Sequence, residues 1–191
     1  MIKKWRSNSL LSGLILFGVL LIPFIRQFLE SVMVLHMLVQ LPLLVLVGWL
    51  IGITITRNFQ SHFDSWNSNG IPGTLLFVMI TMYWMIPRTL DEALSIWYIE
   101  LFKYVSLPVI GLLLYDSWKK LQSIGKSFIY LNYLSMFGLM AWLYIDSPIQ
   151  ICNNYLAAEQ KILGWGLLGI TAFMVLYLVQ AVFTDQTEEA I

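Results

Sequence analysis

Cysteine, histidine and charge are all scarce in this chain. Of its 191 residues one is cysteine and two are histidine, and only 12% carry a formal charge. A single cysteine, Cys152, excludes an intrachain disulfide and any cysteine-rich metal cage. A formal net charge of zero leaves no basic face for a nucleic-acid partner. Zinc-protease signatures of the HExxH kind, phosphate-cradling glycine loops and dinucleotide fingerprints are all missing. So is any nucleophile–base pattern, and nothing in the sequence assigns an enzyme. His36 is the one histidine inside an apolar run, His62 lying in a polar connection, so bis-histidine haem within one chain is excluded.

Apolar sequence takes the place of these features. Hydrophobic residues make up 59% of the chain and the mean hydropathy is +0.76. Soluble domains average about 45–50% apolar and about 25% charged. A water-soluble fold of this size could not hide so much apolar surface, so the lipid bilayer is the expected solvent. Runs of about 20 apolar residues fall at roughly 10–25, 29–55, 71–87, 96–115, 128–145 and 163–183. The expectation is an all-α polytopic bundle of six transmembrane helices forming a single domain over 1–191. No internal repeat or low-complexity tract interrupts it. The longest connections, 57–70 and 146–162, are too short to fold alone.

Lysine and arginine set the expected orientation. With the N-terminus inside, cytoplasmic segments carry Lys3, Lys4, Arg6, Arg57, Lys119, Lys120 and Lys126, seven in all. The opposite side carries three, Arg26, Arg88 and Lys161; Lys103 falls within a span. The positive-inside rule then places both termini in the cytoplasm. The stretch "IPFIRQFLE" offers no small-residue cleavage site after the first run, which reads as a retained span. The acidic tail "TDQTEEAI" reads as a solvated end.

The polar residues in or beside these spans gather on the extracytoplasmic side. Met33, His36, Met37 and Gln40 follow the spacing i, i+3, i+4, i+7 and share one helix face. Met79, Met82 and Met85 climb the third span. Pro87 ends it, and Arg88, Asp91 and Glu92 follow. Glu100, Lys103 and Tyr104 form an i, i+3, i+4 face of the fourth span, and Glu159 and Gln160 stand at the entry to the sixth. Ionisable residues inside a membrane are costly, face the bundle interior and are functional candidates by default. Imidazole and thioether donors at Met33, His36, Met37 and Met85 suit Cu(I), which soft sulfur selects. Plain packing accounts for the same residues in other ways. Methionines fill gaps, Glu100 and Lys103 form a neutral ion pair, His36 bonds a neighbouring helix, and Asp91 caps the short helix "TLDEALSIW". Gly48 and Gly52 form a GxxxG close-packing face.

The segment "WMIPRTLDEALSIWYIELFKYVSLPVIGLLLYDSW" resembles the characteristic segment of bacterial cytochrome c oxidase assembly factors of the CtaG type. Trp84, Pro87, Asp91, Ala93, Leu94, Ser106 and Gly111 fall where that pattern places them. "AAEQKILGWGLLGITAFMVLYL" is similar to the family's stretch before its last helix, through Glu159, Gln160 and Gly164. "VLHMLVQLPLLVLVGW" resembles its histidine-methionine helix, through His36, Met37 and Gln40. The resemblance implies a multi-pass protein of the bacterial plasma membrane that assists a copper-containing respiratory oxidase. Copper and an oxidase or other membrane-complex subunit are the implied cofactor and partner. The family's histidines are replaced: Met85 follows Trp84, its His-x-x-Glu-His group reads Glu100, Lys103 and Tyr104, and Leu41 stands at the last histidine of the second helix. The scaffold is then expected either with a metal site rebuilt from Met85, Met37 and His36, or as a metal-free accessory subunit. A proton or solute pathway through Glu100 and Lys103 is a third option, without the repeated halves typical of secondary transporters.

Overall fold

The computed structural model describes residues 2–188, with side chains from 8 to 184, and no strand occurs among the described residues. Lys3, Lys4 and Arg6 of the charge count, and the acidic tail beyond Thr184, lie outside the described side chains. The helices are α1 (Ile2–Leu21), α2 (Pro23–Glu30), α3 (Met33–Asn58), α4 (Gln60–Trp66), α5 (Ile71–Met85), α6 (Pro87–Ser95), α7 (Trp97–Lys120), α8 (Ser123–Asp146) and α9 (Ala157–Glu188). Four of them, α3, α7, α8 and α9, are long and apolar enough to cross a membrane, and the number rises to six if α1–α2 and α5–α6 each count as one bent span.

Both bends arise from the same dipeptide. Ile22 and Ile86 are extended, at φ/ψ of −61°/124° and −70°/124°, and each precedes a proline that opens the next helix. Proline disfavours the helical region for the residue before it and suits the first helical position. The chain therefore turns by 72° between α1 and α2 and by 75° between α5 and α6. α5, with 15 residues, is about 22 Å long, short of a hydrocarbon core of about 30 Å. Helix ends thus fall elsewhere than the edges of the apolar runs. Residues 22–25 leave the first helix, Leu29 and Glu30 belong to α2 rather than to α3, and Pro87 begins α6 rather than ending α5.

Among the described residues, the parallel helices α3 and α7 form the most extensive contact, α1 flanks α3, and α5 and α6 flank α7. Their backbones touch at two reciprocal glycines. A Cβ on Gly48 would meet the Pro108 carbonyl oxygen at 1.8 Å, and one on Gly111 would meet that of Val45 at 2.0 Å. Only a hydrogen fits at either place, so Gly48 does supply the close-packing face expected of it. Hairpin α8–α9 packs tightly on itself, and α9 also touches the start of α3 at Met33–Leu35. Gly164, where a Cβ would come within 2.8 Å of Ile145 Cγ1, lets α9 approach α8. Outward-facing Leu139, Trp142, Phe173 and Leu176 are exposed, as side chains solvated by lipid would be.

Candidate functional site

Beyond the glycine seam, the N-terminal ends of α3 and α7 enclose a buried polar cluster. α3 opens with one π turn, His36–Gln40, in which the Leu41 N–H bonds the His36 carbonyl. π turns of this kind are frequent at functional sites. Met33, His36, Met37 and Gln40 are all buried, as are Lys103 and Tyr104 of α7. Lys103 does not pair with Glu100 as its spacing suggests. Its Nζ donates to Glu30 Oε1 of α2 at 2.7 Å, to His36 Nε2 at 3.3 Å and to Gln40 Oε1 at 3.5 Å. Glu100 instead accepts from Arg26 Nη1 of α2 at 2.7 Å. α2 therefore supplies both partners, and the bend at Pro23 brings it over the ends of α3 and α7.

The hydrogen bonds fix the protonation pattern. Tyr155 OH donates to the Glu30 carbonyl at 2.9 Å, so it receives the proton of His36 Nδ1 at 2.8 Å. Nε2 then offers a lone pair, which the Lys103 ammonium takes. Gln40 Nε2 donates to Glu30 Oε1 at 3.1 Å and to Tyr104 OH at 2.9 Å. All three ammonium protons are engaged, His36 is neutral, and Glu30 balances Lys103. Among the described residues, Arg26 Nε and Asn132 Oδ1 are the buried side-chain polar atoms left without a partner, and neither is an atom of the Lys103, His36, Gln40 and Glu30 network. Full connection is what makes a buried polar network stable rather than costly.

The 147–156 connection caps the cluster and holds Tyr155. Asp91 does not cap α6: it sits within the helix, and the residue at the helix start, Ile86, makes no side-chain cap. Its carboxylate accepts the Asn153 N–H at 2.6 Å and the Asn154 N–H at 3.3 Å. From α9, Gln160 accepts the Ile151 N–H at 3.1 Å and donates to the Cys152 carbonyl at 3.3 Å, while Glu159 beside it is half-buried. Gln150 ties the Cys152 and Tyr155 carbonyls together at 2.9 and 2.7 Å. Burial, and after it the charge of Asp91, pushes the Cys152 thiol up to about 12, which makes it inert rather than nucleophilic. Trp84 is buried and donates to Ser106 Oγ at 3.0 Å, Pro87 opens α6, and Gly111 lies in the seam.

Of the four candidate copper ligands, Met33, His36 and Met37 are buried and Met85 is half-buried. His36 is held on both ring nitrogens, and Met33 lies with it in the core. Met37, in the same core cluster as Met33, lines with Met85 an apolar groove of about 250 Å³ that also includes Trp84, Thr81 and Tyr133. Tyr144 OH lies 3.9 Å from Met37 Sδ. Among the described residues no three His, Cys, Asp or Glu side chains gather as a metal group. His36 has no free ring nitrogen to offer a metal ion while Lys103 and Tyr155 stay in place.

A second polar group lies at the C-terminal ends of α3 and α7. Asn67 donates to Asp116 Oδ2 at 2.8 Å and to Ser117 Oγ at 3.0 Å, and accepts the Gly73 N–H at 3.0 Å. Lys120 bridges Asp64 of α4 at 2.7 Å and Asp116 at 2.9 Å. The hydrogen bond from Lys120 holds the Asp64 carboxyl below the usual range.

Glu30, Tyr155, Asn67 and Asp116 were not singled out by the sequence. The signal for Glu30 was the Ile-Pro bend, which turns an apparent interhelical connection back over the bundle. No family model, curated protein or solved structure matches the chain.

Proposed function

We propose that the chain is a six-span protein of the bacterial plasma membrane, both termini cytoplasmic, that acts without catalysis as an assembly or accessory factor for a membrane complex. The client class, a copper-containing cytochrome c oxidase or a related enzyme, rests on the resemblance of the Trp84–Trp118 segment. The observation that carries the non-catalytic reading is the position of Lys103. Its ammonium occupies the centre of an acceptor set formed by Glu30, His36 and Gln40, so the chain supplies its own cation and the cluster is closed. Such a cluster fixes α2, the 147–156 connection and α7 as one rigid face against which a partner subunit can dock.

Deletion of the gene tests the role: fully assembled client complex should fall, and restoring Lys103→Arg should rescue assembly better than Lys103→Met. Unchanged amounts of assembled oxidase in the deletion strain would sink the assembly reading. Mild-detergent copurification of a stoichiometric partner would support the accessory form.

One observation favours a copper-handling variant. Met37 and Met85 share the groove between α3, α5 and α8, and two thioethers suit transient Cu(I) carriage at any pH. Competition for Cu(I) against a chelator decides it: binding lost in Met37→Leu/Met85→Leu but kept in Met174→Leu supports this variant, and no binding by the wild-type protein rejects it.

A further inference from the structure

The C-terminal ends of α3 and α7 enclose a cavity of about 470 Å³, lined by Ile53, Thr56, Arg57, Gln60 and Tyr115 together with Asp64, Asp116, Lys119 and Lys120. Lys120 is committed to Asp64 and Asp116. Arg57 and Lys119 pair with no carboxylate among the described residues. Arg57 is exposed at the end of α3. Lys119 donates to Tyr115 OH and lies 3.9 Å from the centroid of that ring, and Trp49 packs edge-on against the same ring at 5.4 Å. Two cations without a carboxylate partner therefore line one cavity. Its charged lining sums to three cations against two carboxylates, a single positive charge.

Depth identifies the ligand. α3 and α7, with 26 and 24 residues, are about 39 and 36 Å long, long enough for their last turns to reach past a hydrocarbon core of about 30 Å. Exposed Trp66 and Trp118 lie at this level, as interfacial tryptophans do. We infer that this cavity binds a phosphate group at headgroup depth, with Arg57 and Lys119 on its oxygens and Ile53 and Tyr115 against the adjoining apolar part. A phosphodiester, with one negative charge, matches the net charge of the lining. The same chemistry can be supplied by an anionic lipid or by a soluble phosphate.

Native mass spectrometry of the purified full chain tests this with phosphatidylglycerol, phosphatidylcholine and inorganic phosphate as probes. Bound phosphatidylglycerol should exceed bound phosphatidylcholine. Loss of either cavity cation should weaken phosphatidylglycerol binding about fivefold, so Arg57→Gln/Lys119→Gln should weaken it about 25-fold. Lys126→Gln/Lys161→Gln removes equal charge elsewhere and should leave binding unchanged. If millimolar inorganic phosphate displaces the lipid from the wild-type protein, the site serves a soluble phosphate; if it does not, the ligand is the lipid. Equal binding of the two lipids, or equal losses in the two double variants, would overturn the proposal. Arg57, Lys119 and Lys161 are exposed and Lys126 is half-buried, and an unchanged helical circular dichroism spectrum checks that each variant is folded.

Discussion

The two ends of the α3–α7 pair solve opposite problems with the same kinds of residue. At the N-terminal end a lysine and a glutamate are sealed under α2 and the 147–156 connection, every proton has an acceptor, and Lys103 has no exposed surface. At the C-terminal end a lysine bridges two aspartates in the lining of an open cavity, and two more cations, without a carboxylate partner among the described residues, line it too. The difference lies in what covers them. A buried pair is costly to break because the survivor is left charged in a poor solvent; a rim pair is screened and inexpensive to lose. One end is thus built for rigidity and the other for exchange with ligands from outside.

This contrast can be broken most severely at the seam that joins the two ends. Gly48→Leu forces a side chain into the Pro108 carbonyl and should cost 3 kcal/mol or more, on the order of the largest overpacking penalties. Folded protein recovered by size exclusion should collapse for both ends together. Lys103→Met comes next: it strands Glu30 and should cost about 3–5 kcal/mol, while Lys103→Met/Glu30→Gln recovers most of the loss in a detergent thermal melt. Lys120→Met at the other end should cost far less. Tyr155→Phe removes the acceptor for His36 Nδ1 and the donor to Glu30, and should lower stability by about 1–3 kcal/mol.

The smallest effect is a pH dependence. Lys120 holds Asp64 below its unfolded value of 3.8, so its contribution is present above that value and lost as pH falls through the lowered one. Asp64→Asn should flatten the acid limb of the thermal-stability curve below about pH 4. An acid limb identical to that of the wild-type protein would show that the Asp64–Lys120 contact contributes nothing.

The apolar runs were legible because each outlasts a core helix, and the buried face of α3 was legible from its i, i+3, i+4, i+7 spacing. His36, Gln40, Lys103 and Tyr104 were therefore found from periodicity alone. Their partners were not. Glu30 and Tyr155 sit in an eight-residue helix and an irregular connection, where no period states which way a side chain points. Lys103 and Glu100 satisfy the spacing of an intrahelical pair, yet each binds a residue of α2. Spacing along a helix sets which side chains share a face, but the elements laid across that face choose the pairs. Asp91 shows the same limit: its place early in a short helix suggested a cap, and the 153–154 backbone claimed its oxygens instead.

The parallel pairing of α3 and α7 also bears on how the protein is made. Glu30, His36 and Gln40 leave the ribosome more than sixty residues before Lys103. Chains fold N-terminal parts first during synthesis. The lysine of α7 is therefore made when all three of its acceptors have already been delivered, and it need never enter lipid as an orphan charge. Tyr155 arrives last and closes the assembly only after the cation is seated. The order of residues along the chain doubles as an insertion schedule.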